Sequence, residues 1–331
     1  HTAYRRQRQM CIRDSLWITE LGIGSYISGK ELSDKYVENI SIKLANIMGV
    51  QFNRSRPILE ANTENLRISI WHESRCQKKS MSIRKIPEYL RFDHMTLIES
   101  RYAPESIINL LENSVSAHLS IVVGGQPHAG KTELVKYLTT KIPHNEKAGV
   151  YEDNQEIHYR KINPNKKCVE FFVDDKITYP DIIKAGLRHN IDWILLSESR
   201  GPEVAHLLNS LSTGSYCMTT MHLDDVRDTP DRMYNMLGSS NINERFINSI
   251  YKYIDLVILI ECDKHEKRRI KQVGFLSREN GNNQCTIIYE DGSFTDEKIP
   301  ETIINKFSKK GIMNIYCLLY TSPSPRDYAA S

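Results

Sequence analysis

The sequence predicts an α/β protein: a mainly parallel sheet covered by helices on both faces, preceded by a small α+β N-terminal domain. Three observations predict it. Short apolar runs alternate with amphipathic helical segments through residues 101–315, the pattern of strands buried on both faces. A glycine-rich stretch, Gly125 to Thr132, fits G-x-x-x-x-G-K-[ST] and lies between a strand-like and a helix-like segment. Residues 16–100 carry a helix and two alternating strands of their own. A length of 331 residues accommodates two such domains.

In the first domain, Ser33 opens a helix whose apolar stripe is Tyr36, Val37, Ile40, Leu44 and Ile47, closing near Gly49. Residues 66–71 and 79–85 read as strands, and the alternation of Leu66, Ile68 and Ile70 marks a half-buried sheet. Pro87 and the polar stretch to Ser100 mark the passage to the second domain. There, residues 119–123 form an apolar strand, and Leu134, Leu138 and Ile142 follow at helical spacing. Further strands are expected at residues 148–152, 168–173, 193–197, 217–221, 254–260, 271–275 and 285–289. Helices are expected at residues 179–189, 203–211, 231–237, 244–251 and 300–308. Asn280-Gly281 and Asp291-Gly292 are turn signals, and no internal repeat is visible.

Gly125, Gln126, Pro127, His128, Ala129, Gly130, Lys131 and Thr132 form the expected phosphate-binding loop. Glycines let the backbone wrap closely around phosphate oxygens, and successive N–H groups converge at a helix N-terminus, where anions are favoured. Lys131 is expected to reach the β- and γ-phosphates of a nucleoside triphosphate, which the family resemblance below implies is ATP, and the Thr132 hydroxyl to ligate Mg²⁺. Cleavage also needs a carboxylate near the γ-phosphate and cations for the developing charge. Glu198 ends the apolar strand at residues 193–197, at the edge where ligands sit in open α/β sheets. Glu152 and Glu156 close the strand after the loop's helix, and His222 follows the strand at residues 217–221. Each alone also reads as a helix-cap carboxylate, a solvated turn or a structural histidine.

Composition narrows the class. No apolar run approaches the ~20 residues of a membrane span, and no long apolar secretory segment stands at the N-terminus. Residues 1–15, including Arg8-Gln-Met-Cys-Ile-Arg-Asp-Ser15, and residues 316–331 resemble strings that recur in translated metagenomic reads running into sequencing adapter. Both are expected to be adapter-derived. Arg5, Arg6, Arg8 and Arg13 against Asp14 supply the whole formal charge of +3, so the remainder is near neutral and gives no support for nucleic-acid binding. Cys76, Cys168, Cys217, Cys262 and Cys285 are scattered without a C-x-x-C pair, which fits reduced thiols in a cytoplasmic setting.

Five ordered boxes give the chain a family resemblance. Glu152-Asp-x-x-Glu156, Leu187-Arg188, Glu198-Ser-Arg-Gly201, Thr213-Gly214 and Thr219-Thr-Met-His222 resemble, in order, those of the type II and type IV secretion and pilus-assembly traffic ATPases. Pro57-Ile-Leu-Glu60, Arg67 and Ser82-Ile-Arg84-Lys resemble the segment preceding the motor in the CpaF-like branch. The resemblance covers about residues 30–310 and implies a RecA-like P-loop ATPase domain. It implies Glu198 as catalytic carboxylate, Glu152 and Glu156 as an acidic box near Mg²⁺, and His222 at the γ-phosphate. It also implies Arg67 and Arg84 as cations reaching a nucleotide from the first domain, with Arg200 and Arg188 supporting Glu198 by charge. A homo-hexamer is implied, peripheral to the cytoplasmic membrane and partnered by inner-membrane secretion or pilus platform proteins. Ser197 stands where the family has glycine, Ser215 where it has histidine, and Glu60 where it has aspartate. The stretch from Thr213 to His222 is one residue shorter than the branch pattern. Two other readings are a nucleic-acid motor, which would need a basic aromatic channel, and a nucleotide-binding scaffold that does not hydrolyse.

Overall fold

A computed structural model describes residues 9–12, 16–20, 23–30, 32–63, 65–174, 176–238, 244–263 and 267–318. The rest of the termini expected to be adapter-derived lies outside the described residues. The chain divides into two units. The first runs to Tyr89 and includes Asn154–His158 and Cys262–Lys267; the second comprises Leu90–Asp153, Tyr159–Glu261 and the chain from Arg268.

The first unit contains β1 (Gln9–Ile12), β2 (Leu16–Glu20), β3 (Gly24–Ile27), α1 (Asp34–Met48), β4 (Ile58–Asn62), β5 (Leu66–Trp71) and β6 (Ser80–Lys85). The strands form one antiparallel sheet in the order β3-β2-β1-β6-β5-β4. Thus Gln9–Ile12, inside the segment expected to be adapter-derived, pairs with both β2 and β6. Helix α1 starts where Ser33 Oγ accepts the Tyr36 N–H at 3.2 Å and stops at Gly49, which turns left-handed at φ 63°. Its buried face differs from the expected stripe. Val37, Ser41 and Ala45 are buried, whereas Tyr36 and Ile47 are 51% and 75% exposed. Small side chains let the helix lie close to the sheet, and Ser41 satisfies its hydroxyl on the Val37 carbonyl at 2.7 Å. Leu16, Leu59, Ala61, Ile68, Ile70 and Met81 complete the buried set of this core.

The second unit begins with α2 (His94–Glu99) and α3 (Glu105–Ser116), neither expected from the sequence. The boundary therefore falls at residues 89–90 rather than near 100. Leu97 of α2 is buried, and His94 Nδ1 lies 2.7 Å from Glu112 Oε1 of α3, which holds α2 on this side of the division. Asn109 and Asn113 of α3 donate to the backbone carbonyls of Ile315, Tyr316 and Cys317, each at 3.0 Å.

There follow β7 (Ile121–Gly125), α4 (Lys131–Thr139), β8 (Ala148–Glu152), α5 (Tyr159–Ile162), β9 (Cys168–Phe172), α6 (Tyr179–Gly186) and β10 (Trp193–Leu196). Then come α7 (Glu203–Ser212), β11 (Tyr216–Met221), α8 (Thr229–Asn235), α9 (Glu244–Tyr253) and β12 (Leu256–Cys262). The chain closes with β13 (Arg268–Glu279), β14 (Asn282–Glu290), β15 (Ser293–Phe294) and α10 (Glu301–Lys309). The sheet order is β15-β14-β13-β12-β7-β11-β10-β8-β9. From β12 to β9 every neighbouring pair is parallel, while β13, β14 and β15 form an antiparallel meander. Both meander turns are the two glycine-containing dipeptides. Asn280 and Gly281 have φ 51° and 84°, and Asp291 and Gly292 have φ 46° and 95°, the positive pair that a type I′ hairpin requires.

Two charged side chains tie this sheet to its helices. Asp255, just before β12, is buried, which pushes its carboxyl pKa up, while Lys306 of α10 and the Ser120 N–H oppose that rise at 2.6 and 3.0 Å. Removing the carboxylate leaves these donors without it. Asp255→Ala should therefore cost about 3 kcal/mol of stability, read by chemical denaturation. Lys166 Nζ donates to the carbonyls of Thr139, Thr140 and Ile142 at the end of α4, between 2.6 and 3.2 Å. Burial, then Lys141, lowers its pKa from 10.5 to about 8. Between those values the unfolded chain holds more protons than the folded one. The stability of the native protein should accordingly rise from pH 8 to pH 10.5 relative to Lys166→Met, measured by paired denaturation curves.

Candidate active site

Strand β7 runs two residues beyond the expected apolar run, so Gly125 is both a strand residue and the first residue of the loop. It pairs with Ile260 of β12, whose carbonyl oxygen would lie 2.4 Å from a Cβ at this position. With φ at 149°, only glycine fits there. Gln126, Pro127 and His128 are exposed at the tip, and Ala129 turns inward. Gly130, at φ 97°, is the N-cap of α4 and offers no side-chain acceptor to the helix's first N–H groups. Lys131, the first residue of α4, is buried. Its Nζ crosses the loop and donates to the carbonyls of Gly125 at 2.9 Å and Gln126 at 3.1 Å. Thr132 follows, half-buried, in the first turn.

Parallel registration brings the C-terminal ends of β7, β11, β10 and β8 to one edge. Glu152 ends β8 and is buried, Glu198 stands two residues beyond β10, and His222 follows β11 directly. Lys131 Nζ lies 3.3 Å from His222 Nδ1, and His222 Nε2 lies 3.0 Å from Glu198 Oε1. An ammonium can only donate, so Nδ1 is the acceptor. The ring proton then sits on Nε2 and is donated to the carboxylate. Arg200 Nε is 3.6 Å from the other oxygen of Glu198, and its Nη2 contacts Asp153. Burial pulls the Arg200 guanidinium pKa down, but Asp153 and Glu198 outweigh it and hold the group above its ordinary value.

The segment carrying Glu198 is fastened to β11. The Ser199 N–H donates to the Thr220 carbonyl at 2.8 Å, the Ser199 and Thr219 hydroxyls are 2.9 Å apart, and Thr220 Oγ1 donates to the Ser197 carbonyl at 2.6 Å. Glu203 Oε1 accepts the N–H groups of Arg200 and Gly201 at 2.7 and 2.8 Å. Among the described residues no three His, Cys, Asp or Glu side chains form a metal cage. A divalent ion at this loop would thus be held through the Thr132 hydroxyl and the phosphates themselves, as Mg²⁺ tolerates.

Lys131, His222 and Glu198 are thus brought together, while the acidic box is divided. Glu152 belongs to the second unit and Glu156 to the first, because the chain leaves the sheet where β8 ends. Within the first unit Glu156 Oε1 lies 3.7 Å from Arg67 Nη1, and Arg67 faces Arg84 across β5 and β6. Among the described residues Arg84 Nε is buried with no hydrogen-bond acceptor. Arg188 lies in the short turn that ends α6. Sequence reasoning missed three contacts of the loop region: Asp224 on Gln126, Asp153 on Arg200, and Arg268 on the His128 carbonyl. Asp224 stands two residues past His222 and was within reach of the motif. Arg268 sits in a Lys-Arg-Arg run that reads as solvated charge.

Over 280 residues the chain is 25% identical to an uncharacterized protein of Bacillus anthracis, an overlap covering 80% of this chain and 63% of that relative's length. The fold is similar to that of the Legionella pneumophila ATPase DotB, with a TM-score of 0.60 and 16% identity, over 83% of this chain and 78% of DotB. It is also similar to the pilus retraction motor PilT with bound ADP, with a TM-score of 0.57 and 14% identity, over 95% of this chain and 85% of PilT. These two likenesses show a shared α/β fold with a large, mostly parallel sheet and an N-terminal domain. Residues 55–313 match the family model described as type II/IV secretion system protein, and the chain belongs to that family.

Proposed function

We propose that this chain is an ATP-hydrolysing motor powering type II/IV secretion, pilus assembly or conjugative transfer. The observation that carries the reading is the hydrogen-bonded series from Lys131 through His222 to Glu198 at the mouth of a glycine loop. In this reading the triphosphate lies against the N-terminus of α4. Lys131 exchanges its bonds to the Gly125 and Gln126 carbonyls for phosphate oxygens. Thr132, in the first turn of α4, with Glu152 at the end of β8, would hold Mg²⁺, which would supply charge neutralisation.

Glu198 is the group that handles water. One oxygen accepts from His222 and the other faces Arg200, which keeps the carboxylate aimed. A water hydrogen-bonded to it attacks the γ-phosphorus. The bond to the bridging oxygen breaks, and the water's proton passes to Glu198. His222, linked to Lys131 on one side and Glu198 on the other, responds to whether the ammonium is engaged with phosphate. Arg67 and Arg84, set side by side on β5 and β6, are the first unit's candidates to meet the transferred charge. Phosphate release then frees the units to move, the step that does mechanical work.

The same reading gives a homo-hexamer peripheral to the cytoplasmic membrane, docked on inner-membrane platform proteins. Among the described residues no helix is long and apolar enough to cross a membrane. The fold likeness to PilT, a motor solved with ADP, supports the nucleotide assignment.

The decisive measurement compares phosphate release by the native chain and Glu198→Gln, with nucleotide binding followed in parallel. Hydrolysis should fall by about 100-fold or more while affinity for ATP stays within a few-fold. Equal rates would remove Glu198 from its role, and no hydrolysis by the native protein would leave a nucleotide-binding scaffold in place of a motor.

A further inference from the structure

His128 is the residue in the phosphate loop whose conformation the sequence does not explain. Its φ is 64°, in the left-handed region that costs an L-residue free energy and that glycine occupies freely. Between Gly125 and Gly130, both themselves at positive φ, this is the one non-glycine residue so placed. Such a conformation persists only where its surroundings over-determine it.

Among the described residues, one restraint on it comes from outside the loop. Arg268, the first residue of β13, lies 140 positions away in sequence. Its Nε and Nη2 both donate to the His128 carbonyl oxygen, at 3.3 and 3.1 Å. The same side chain covers the loop's second glycine: a Cβ on Gly130 would stand 3.0 Å from Arg268 Cδ. On the other flank Gln126 is tied to Asp224, and beneath it Gly125 is pressed on the Ile260 carbonyl. The loop is also held at its base and at Gln126, and the Arg268 bonds act on the tip around His128. A flip of His128 to negative φ would swing its carbonyl off Arg268 and turn the following N–H away from the phosphate position.

We infer that Arg268 is a positioning residue that holds His128 in the left-handed conformation and so keeps the phosphate loop formed before nucleotide arrives. This rests on residues 125–132 being the nucleotide site. The guanidinium is suited to the task, because it is permanently charged and its rigid fork can place two N–H groups on one acceptor. A loop already shaped for its ligand binds without paying for its own ordering.

A double-mutant cycle with a built-in rescue tests this. If Arg268 acts by restraining a strained His128, its loss should matter only while residue 128 carries a side chain. The four proteins are native, Arg268→Ala, His128→Gly and the double variant, with Arg268→Lys as a milder substitution should Arg268→Ala fold poorly. Affinity is measured with ADP, and thermal unfolding is followed without nucleotide. Arg268→Ala should weaken ADP binding about tenfold in the native background but no more than about twofold when residue 128 is glycine. The unfolding midpoint should show the same pattern, with Arg268→Lys intermediate. An equal loss in both backgrounds would overturn the inference, since Arg268 would then act on the phosphates directly or through general stability. No loss in the native background would overturn it too. Failure of both the native protein and the His128→Gly variant to bind ADP at all would instead sink the nucleotide reading. The unfolding midpoints would still judge whether Arg268 and His128 are coupled.

Discussion

The Lys131 ammonium, which can donate hydrogen bonds but not accept them, sets the polarity of everything that follows it. With His222 Nδ1 at 3.3 Å as acceptor, the imidazole proton belongs on Nε2, and Glu198 at 3.0 Å receives it. None of these side chains is near another in sequence. They meet because β7, β11 and β10 are adjacent and parallel, so residues just beyond the three strand ends face one another. A register slip of one residue in β11 would turn His222 to the opposite face of the sheet and break the series. The buried apolar strands therefore do more than stabilise: their packing fixes the register on which the site depends.

The same strands explain why the loop is rich in glycine and why glycine alone does not hold it. Gly125 must be glycine because the neighbouring strand's carbonyl occupies the space a side chain would need. That close approach anchors the base of the loop to the sheet. At the tip, side chains also reach in from two sides, Asp224 on Gln126 and Arg268 on the His128 carbonyl. Contacts made by separate elements on one loop make its conformation a property of the whole unit as well as of the loop's own residues, Lys131 among them.

Much of this was legible in the sequence, for a physical reason. A parallel strand buried on both faces is a continuous apolar run, and the residue after it lies at the ligand edge, so Glu198 and His222 could be placed from periodicity alone. The type I′ turns at Asn280-Gly281 and Asp291-Gly292 were equally plain, since few dipeptides accept two positive φ angles. What escaped was whatever depends on contacts without a period. Helix α3 carries Glu105, Asn109, Glu112 and Asn113 at helical spacing, but the last three are buried along with its leucines and isoleucines, which the spacing alone does not tell. Helix α1 buries Ser41 and Ala45 while Ile47 stays exposed, because closeness to the sheet favours small residues over large ones. Arg268 could not be told from its neighbours in a basic run, because its partner is a backbone carbonyl far along the chain.

The departures from the family's pattern can now be weighed by position. Ser215 precedes β11, at the edge of the sheet opposite the loop, and its hydroxyl donates to the Ile191 carbonyl at 3.0 Å. A strand's length, roughly 20 Å, separates it from His222. A histidine lost there is replaced by a hydrogen bond that fastens the start of β11 beside the start of β10, which preserves the register on which Glu198 and His222 depend. Ser197 is nearer the chemistry but is also absorbed by the scaffold. Its N–H donates to the Tyr151 carbonyl, its carbonyl accepts from Thr220, and its hydroxyl lies 3.3 Å from that of Tyr179. Where glycine would leave the backbone before Glu198 free to bend, serine adds a side-chain tether. The substitution therefore stiffens the approach to the carboxylate while the atoms that would face the phosphate stay as they are.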